Sequence, residues 1–258
     1  VVQSATSLAT APQSDKKNSK KTKILKFFTH FDFIVRSIEE SVAMSDKTET
    51  PDIYESMRHK LVTAVFQPGQ KLKPTDLIEQ YGCSVNTLRE VLLRLSAVGL
   101  VTFQDQRGFR ARAVSARHQH DLTQFRILLE QEGLSGSIRH GGLDWESRVT
   151  AAHHKLSHIE HRIADLGTVE PMIDLWCAAE WEFHDTLISA CESRLLQQTF
   201  AQVYDQFRQQ LVTRERNFGY FPGNVHEHAR IVEAALARDD ALCRQRIHDH
   251  LARNLLPA

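Results

Sequence analysis

The chain lacks paired cysteines. Cys83, Cys177, Cys191 and Cys243 stand far apart with no Cys-x-x-Cys step, which argues against a disulfide framework and a thiolate zinc site and leaves reduced, buried thiols. It also lacks net charge, since Lys+Arg and Asp+Glu cancel at 32 each, so the overall balance carries no hint of a nucleic-acid partner. No apolar run approaches the ~18–20 residues that a membrane span needs. The nearest, Ile24 to Val35, is broken by Lys26, His30 and Asp32. There is no His-Glu-x-x-His helix and no Gly-x-Ser-x-Gly elbow, so the common metalloprotease and hydrolase signatures are missing. No repeat of solenoid period is present.

What is there is ordinary globular composition, 41% hydrophobic and 25% charged over 258 residues, enough for two modest domains. The two parts differ chemically. Residues 51–116 carry nine Lys/Arg against six Asp/Glu, whereas 12 of the 14 histidines follow residue 117. Residues 1–50 read as a flexible tail: a Ser/Thr/Ala/Gln stretch, a basic run from Asp15 to Lys23, and an aromatic patch at Phe27, Phe28, Phe31 and Phe33. Charges in that patch and the absence of a clean cleavage site argue against a secretion signal. Met44, followed by a polar run to Pro51, has the look of a natural start.

From 51 to 114 the pattern tightens. Ile53, Met57, Leu61 and Val65 recur at four-residue steps as one helical face, ended by Pro68-Gly69. A short extended piece, Gln70 to Leu72, leads to Pro74, which opens a second helix that stops near Gly82. Ser84 is the expected N-cap of a third helix with Leu88, Val91, Leu92 and Leu95 facing inward, and Gly99 ends it. Leu100 to Phe103, a polar turn from Gln104 to Gly108, and Phe109 to Val114 read as a two-stranded hairpin. Two helices around a turn with a basic hairpin define a winged helix-turn-helix. Residues 115–258 read as helical throughout, with helices near 117–138, 143–166, 169–191, 194–217, 224–238 and 240–255. The expected fold is therefore mainly α, a winged helix-turn-helix followed by an all-helical bundle.

Within the bundle, Glu180 and His184 are four residues apart, so on a helix they project from one face one turn apart, as a chelating pair must. His228 and His250 lie 22 residues apart in the last two helices. Three imidazoles and a carboxylate suit zinc, nickel, iron or manganese and leave open positions on a six-coordinate ion. His226 and His248 share the same spacing, but residues i and i+2 on a helix point about 200° apart, so only one of each pair faces inward. His154, His158 and His161 share a helical face but have no matching carboxylate and read as solvated. Trp176 and Trp181 read as packing residues.

The stretch Pro68-Gly69-x-x-Leu72, Gly82-Cys83-Ser84-Val85-Asn86-Thr87-Leu88-Arg89-Glu90-Val91-Leu92-x-x-Leu95 and Gly99-Leu100-Val101 resembles the DNA-binding domain of the GntR family of bacterial transcription regulators. The resemblance implies a third helix in the major groove, with Asn86 and Arg89 at base edges and Ser84, Thr87 and the helix N-terminus at phosphates. Arg107, Gly108 and Arg110, with Arg112, would form a basic wing. Two positions depart from the family pattern: Val85 and Thr75 stand where arginine is usual or frequent. Operator sequence therefore does not carry over.

Arg126-x-x-Leu129-Glu130, Glu180-x-x-Phe183-His184, and Glu227-His228-x-x-Ile231-x-x-Ala234 with Asp239 and His250 resemble the FadR-type effector domain. That resemblance implies a helical bundle with a divalent metal at the base of a pocket, and its interval to Ile231 and Ala234 selects His228 and His250. The family ligand is usually aspartate where Glu180 stands. Arg126 can pair with an effector carboxylate through its planar fork, or with Glu130 on the next turn.

The expected protein is a cytoplasmic, homodimeric transcription regulator, not an enzyme and not on a membrane. It would bind a palindromic double-stranded DNA operator under control of a divalent metal and a small carboxylic acid. A metalloenzyme and a purely structural metal are the alternatives.

Overall fold

A computed structural model describes residues 50–211 and 220–257. Except for Thr50, the expected tail lies outside the described residues, as do positions 212–217 of the expected fourth bundle helix.

Helix α1 (Thr50–Val62) buries Ile53, Met57 and Leu61, the four-step stripe that forms it. The stripe stops one step sooner than its spacing predicts. Ala64 takes a φ of 56°, the chain turns out of the helix, and Val65 is 60% exposed while Phe66 is buried. Helix α2 (Pro74–Tyr81) starts on a proline and ends on Gly82 in the left-handed conformation. Helix α3 (Val85–Ala97) is capped by Ser84, whose side chain accepts from the Thr87 amide at 3.1 Å.

The expected two-stranded hairpin gains a third strand. β1 (Lys71–Leu72) pairs antiparallel with β3 (Gly108–Ala111), which pairs in turn with β2 (Val101–Gln104), giving the order β1-β3-β2. Leu72 opposite Phe109, and Phe109 opposite Phe103, bring apolar side chains to one column of the sheet. Leu72, Phe109 and Ala111 close over Leu88, Val91, Leu92 and Leu95 in one core.

The rest is helical: α4 (Ala116–His140), α5 (Leu143–Leu166), α6 (Ile173–Ile188), α7 (Arg194–Leu211), α8 (Asn224–Leu236) and α9 (Asp240–Ala252). The expected helix 169–191 is divided. Glu170–Met172 forms a 3-10 turn around Pro171, and α6 stops at Ile188, before Glu192 at φ 59°. A second core runs through the bundle, built on Trp145, Trp176, Phe183, Phe200, Phe207 and Ile247. No helix among the described residues is long and apolar enough to cross a membrane.

Helix α4 crosses the end of α6 at two glycines. A Cβ added at Gly133 would meet Ile188 Cγ2 at 2.7 Å and Cβ at 2.8 Å; one at Gly136 would meet Cys191 Cβ at 2.9 Å. Glycine to alanine inside a helix ordinarily stabilises by roughly 1 kcal/mol. Here the branched Ile188 has no flexible end to yield, and overpacking costs about 1–3 kcal/mol. Gly133→Ala is therefore expected to lower the thermal unfolding midpoint, measured by circular dichroism, rather than raise it.

Candidate functional site

Imidazoles from three helices meet inside the bundle. His184 on α6, His228 on α8 and His250 on α9 are all buried, and one ring nitrogen of each lies within 4.8 Å of the others. Their ring centroids are 4.7–5.6 Å apart. The helical phase that brings His228 and His250 inward leaves His226 and His248 exposed. His154, His158 and His161 are exposed on α5.

Each buried ring has a carboxylate behind it. His184 Nδ1 lies 2.8 Å from Glu130 Oε2, His250 Nδ1 lies 2.8 Å from Glu227 Oε2, and His228 Nδ1 lies 3.4 Å from Glu160 Oε2. An ionised carboxylate only accepts, so Nδ1–H donates in each pair and Nε2 keeps its lone pair. Nε2 of His184 and Nε2 of His228 are buried and have no hydrogen-bond partner among the described residues. A carboxylate that orients an imidazole in this way is the arrangement found behind metal-ligating histidines.

The electrostatics favour the neutral ligand form. Burial pushes the His184 and His250 imidazoles below the usual range, that of His250 far below, and His228 adds to the shift in both. Burial would raise the Glu130 carboxyl, but Arg126 and then His184 outweigh it and hold it down at about 2. Neutral imidazoles at His184 and His250 could take a cation without first losing protons.

Glu180 is not in the histidine group. Its Oε2 faces Arg208 Nη1 at 2.9 Å and accepts from the Tyr204 hydroxyl at 3.1 Å. Sharing a helical face with His184 does bring Glu180 inward, where it is buried, but α7 offers it a cation and a donor. Burial raises its carboxyl, and Arg208 first, with His184, Arg126 and His228 behind it, together outweigh this and leave it below the ordinary value. The one-turn spacing therefore places the backbone of a chelating pair, while the carboxylate itself points to α7.

Arg126 is engaged with Glu130, Nε to Oε1 at 2.5 Å, and its guanidinium lies over the rings of Tyr204 and Phe207. Of the two readings of this residue, the ion pair is present. Its Nη2 is also buried without a partner among the described residues, so one arm of the fork remains for a ligand. Trp176 is fully buried, and Trp181 stacks on Phe200 with centroids 5.7 Å apart.

Glu160, Tyr204 and Arg208 meet their partners across helices and belong to no motif that marks them. A weak signal exists for the last two, since Phe200, Tyr204 and Arg208 recur at four-residue steps and so place a charge on an apolar stripe. His153 was also missed; its Nε2 is buried without a partner among the described residues, and its ring is 6.0 Å from that of Phe183.

In the winged helix, Asn86 and Arg89 are exposed at the head of α3, and Arg107 and Arg110 are exposed on the wing. Ser84 and Thr87 form the cap, hydroxyl to hydroxyl at 3.0 Å. Gly108 takes a φ of 74°, which suits glycine. Arg110 Nη1 also donates to the Gly69 carbonyl at 3.1 Å, and Arg112 is bound to the Gly99 carbonyl. Arg112 thus fastens the wing to the end of α3 and is less available to phosphate than Arg107.

A winged helix that exposes polar side chains at the head of α3, joined to a buried, ligand-ready helical bundle, defines a DNA-binding regulator with a sensing domain. The chain belongs to the GntR family of bacterial regulatory proteins: that family's model matches residues 50–110, and the FCD domain model matches 121–253. It is 34% identical over 200 residues to "Uncharacterized HTH-type transcriptional regulator BphR" of Paraburkholderia xenovorans, covering 77% of this chain and 80% of that protein. It is 30% identical over 204 residues to the HTH-type transcriptional repressor GlaR of Escherichia coli, covering 78% and 91%. Its fold is similar to that of E. coli McbR/YncC, with a TM-score of 0.64 at 17% identity over 80% of this chain and 94% of that one. The protein is a transcription regulator rather than an enzyme.

The buried pair Arg126–Glu130 yields a test of the site's construction. Arg126→Met leaves Glu130 with only His184 to offset its charge, and breaking a buried pair from one side costs about 3–5 kcal/mol. Chemical denaturation should show a loss of that size. Adding Glu130→Gln to the same chain should recover part of it; no recovery would mean that packing, not charge, sets the cost.

Proposed function

We propose that this regulator is controlled by a divalent metal and a small organic acid, and that it acts in the cytoplasm as a homodimer on a palindromic operator. The observation that carries the metal reading is the meeting of three buried imidazoles, each with a carboxylate behind Nδ1. Two of them keep a buried Nε2 with no partner among the described residues, an arrangement costly to leave unfilled. His184, His228 and His250 would hold the ion, with Glu180 as a further ligand if it leaves Arg208. Zinc, nickel, iron and manganese all suit imidazole with carboxylate. A bound ion supplies a Lewis-acidic charge that an acid group can share with the free arm of Arg126.

Control follows from linkage. A ligand that prefers one seating of the reader against the bundle shifts operator affinity by the ratio of its affinities for the two seatings. Two-fold symmetry of the dimer would be matched by two half-sites. Asn86 and Arg89 would read bases, each bidentate pair adding roughly 1–3 kcal/mol of discrimination. Ser84, Thr87, Arg107, Gly108 and Arg110 would position the duplex.

The test of the metal reading is elemental analysis. About one divalent ion per protomer is expected in the wild type, lost in His184→Ala or His250→Ala with a fall in melting temperature, and retained in His226→Ala and His248→Ala. Full metal content in His184→Ala would reject the ligand set. In the reader, Arg89→Ala is expected to abolish selective operator binding in a gel-shift titration at fixed salt without loss of fold. Arg107→Ala should weaken binding to all duplexes alike and flatten its salt dependence. Unchanged selectivity in Arg89→Ala would remove that residue from the base-reading set.

A further inference from the structure

Helix α7 faces two ways. On the bundle side its Tyr204 and Arg208 hold Glu180. On the reader side its neighbouring residues hold the winged helix. Asp205 accepts from Arg58 Nη1 of α1 at 2.7 Å and Gln209 Nε2 donates to the Leu100 carbonyl at 3.0 Å, while at the junction Gln210 accepts at 2.9 Å from the amide of Ser115, the cap of α4 and the first residue past the winged helix. The side chain of Gln206 presses on Gly99, where an added Cβ would lie 2.8 Å from its Cδ. His59 to Asp174 on α6, at 3.0 Å, also joins the two parts.

The seam is not closely filled. A cleft of about 610 Å³ lies between α1 and α7, lined by Tyr54, Arg58, Trp181, Gln202 and Asp205. A neighbouring cavity of about 200 Å³ is lined by Arg58, His59, Asp174, Cys177, Tyr204 and Arg208. Arg58 of the reader and Arg208 of the bundle therefore border the same space, so a displacement of Arg208 has room to occur and is felt where the reader is seated.

We propose that Glu180 is a two-position carboxylate, held by Arg208 and Tyr204 when the three-histidine site is empty and drawn to the ion when it is filled, and that α7 passes this exchange to the winged helix. The inference rests on the metal reading above. Glu180 lies one turn from His184 on the same helical face, and its present partners are two groups of a different helix. Arg208 and Tyr204 compete with the ion for one anion. Removing either competitor raises metal affinity, and removing the carboxylate uncouples metal binding from the reader. After the exchange Arg208 still rests on the Trp176 ring, 4.6 Å from its centroid, and near Cys177 Sγ at 3.3 Å, but its ionic tie to α6 is gone.

The experiment uses Zn²⁺ alone as probe on the full chain. Zinc affinity is measured by competition with a chelating dye, and the seam is followed by hydrogen–deuterium exchange in peptides containing Leu100 and Ser115. Tyr204→Phe should bind zinc several-fold more tightly and Arg208→Met about tenfold, the scale of one charge-assisted bond removed from the competing position. Arg208→Lys should return affinity toward the wild type. Tyr204→Phe preserves packing, so the comparison stands even if Arg208→Met does not fold. In the wild type zinc should raise exchange at Ser115; in Glu180→Gln zinc should still bind, more weakly, and leave that exchange unchanged. Unaltered zinc affinity in Tyr204→Phe, or the full exchange response in Glu180→Gln, overturns the proposal while leaving the three-histidine site standing. A wild type that takes up no metal overturns the three-histidine site itself, and this exchange with it.

Discussion

Everything in the bundle is arranged around a set of charges that have no water to fall back on. Arg126, Glu130, Glu160, Glu180 and Arg208 are each no more than 4% exposed, and ionised groups so buried are tolerated only when paired. The pairing enlists all six bundle helices. α4 supplies Arg126 and Glu130, α5 Glu160, α6 Glu180 and His184, α7 Tyr204 and Arg208, α8 Glu227 and His228, and α9 His250. Apolar contacts alone would let helices slide past one another at small cost. A network in which each imidazole must meet its own carboxylate fixes their relative depth and rotation.

The same network leaves ring nitrogens of the site without a partner among the described residues. Three carboxylates occupy the Nδ1 side of the three rings, and the atoms left over are the buried Nε2 of His184 and Nε2 of His228. Burial keeps His184 and His250 from relieving this by protonation. Such a cluster is costly as it stands, and a cation is what its donor set fits. The reader, by contrast, is an ordinary apolar core whose functional side chains are those left over on the outer faces of α3 and the wing. One half is built to conceal polar groups and the other to display them; α7 touches both.

Local chemistry was legible in the sequence, and cross-chain chemistry was not. Ser84 as a cap, Gly82 and Gly99 as helix ends, and α5 from 143 to 166 follow from propensity and periodicity that act within a few residues. Helical phase allowed only one of each histidine pair to face inward, and the resemblance to the FadR-type domain, through its interval to Ile231 and Ala234, selected His228 and His250. Val65 was misplaced because periodicity cannot see Ala64 leaving the helix, and β1 was missed as a strand because two residues carry no alternation. Glu180 shows the limit most clearly. Its spacing from His184 was read correctly, yet which way its carboxylate turns depends on Tyr204 and Arg208, a helix away and at no fixed interval.

The central claim, that three imidazoles form the core of a metal site, is most directly tested by X-ray absorption at the metal edge on purified, metal-loaded protein. The account predicts a first coordination shell dominated by imidazole nitrogens, about three per ion at about 2.0–2.1 Å for zinc, with the multiple-scattering pattern of histidine rings. A shell of oxygen alone, or of sulfur, would contradict it.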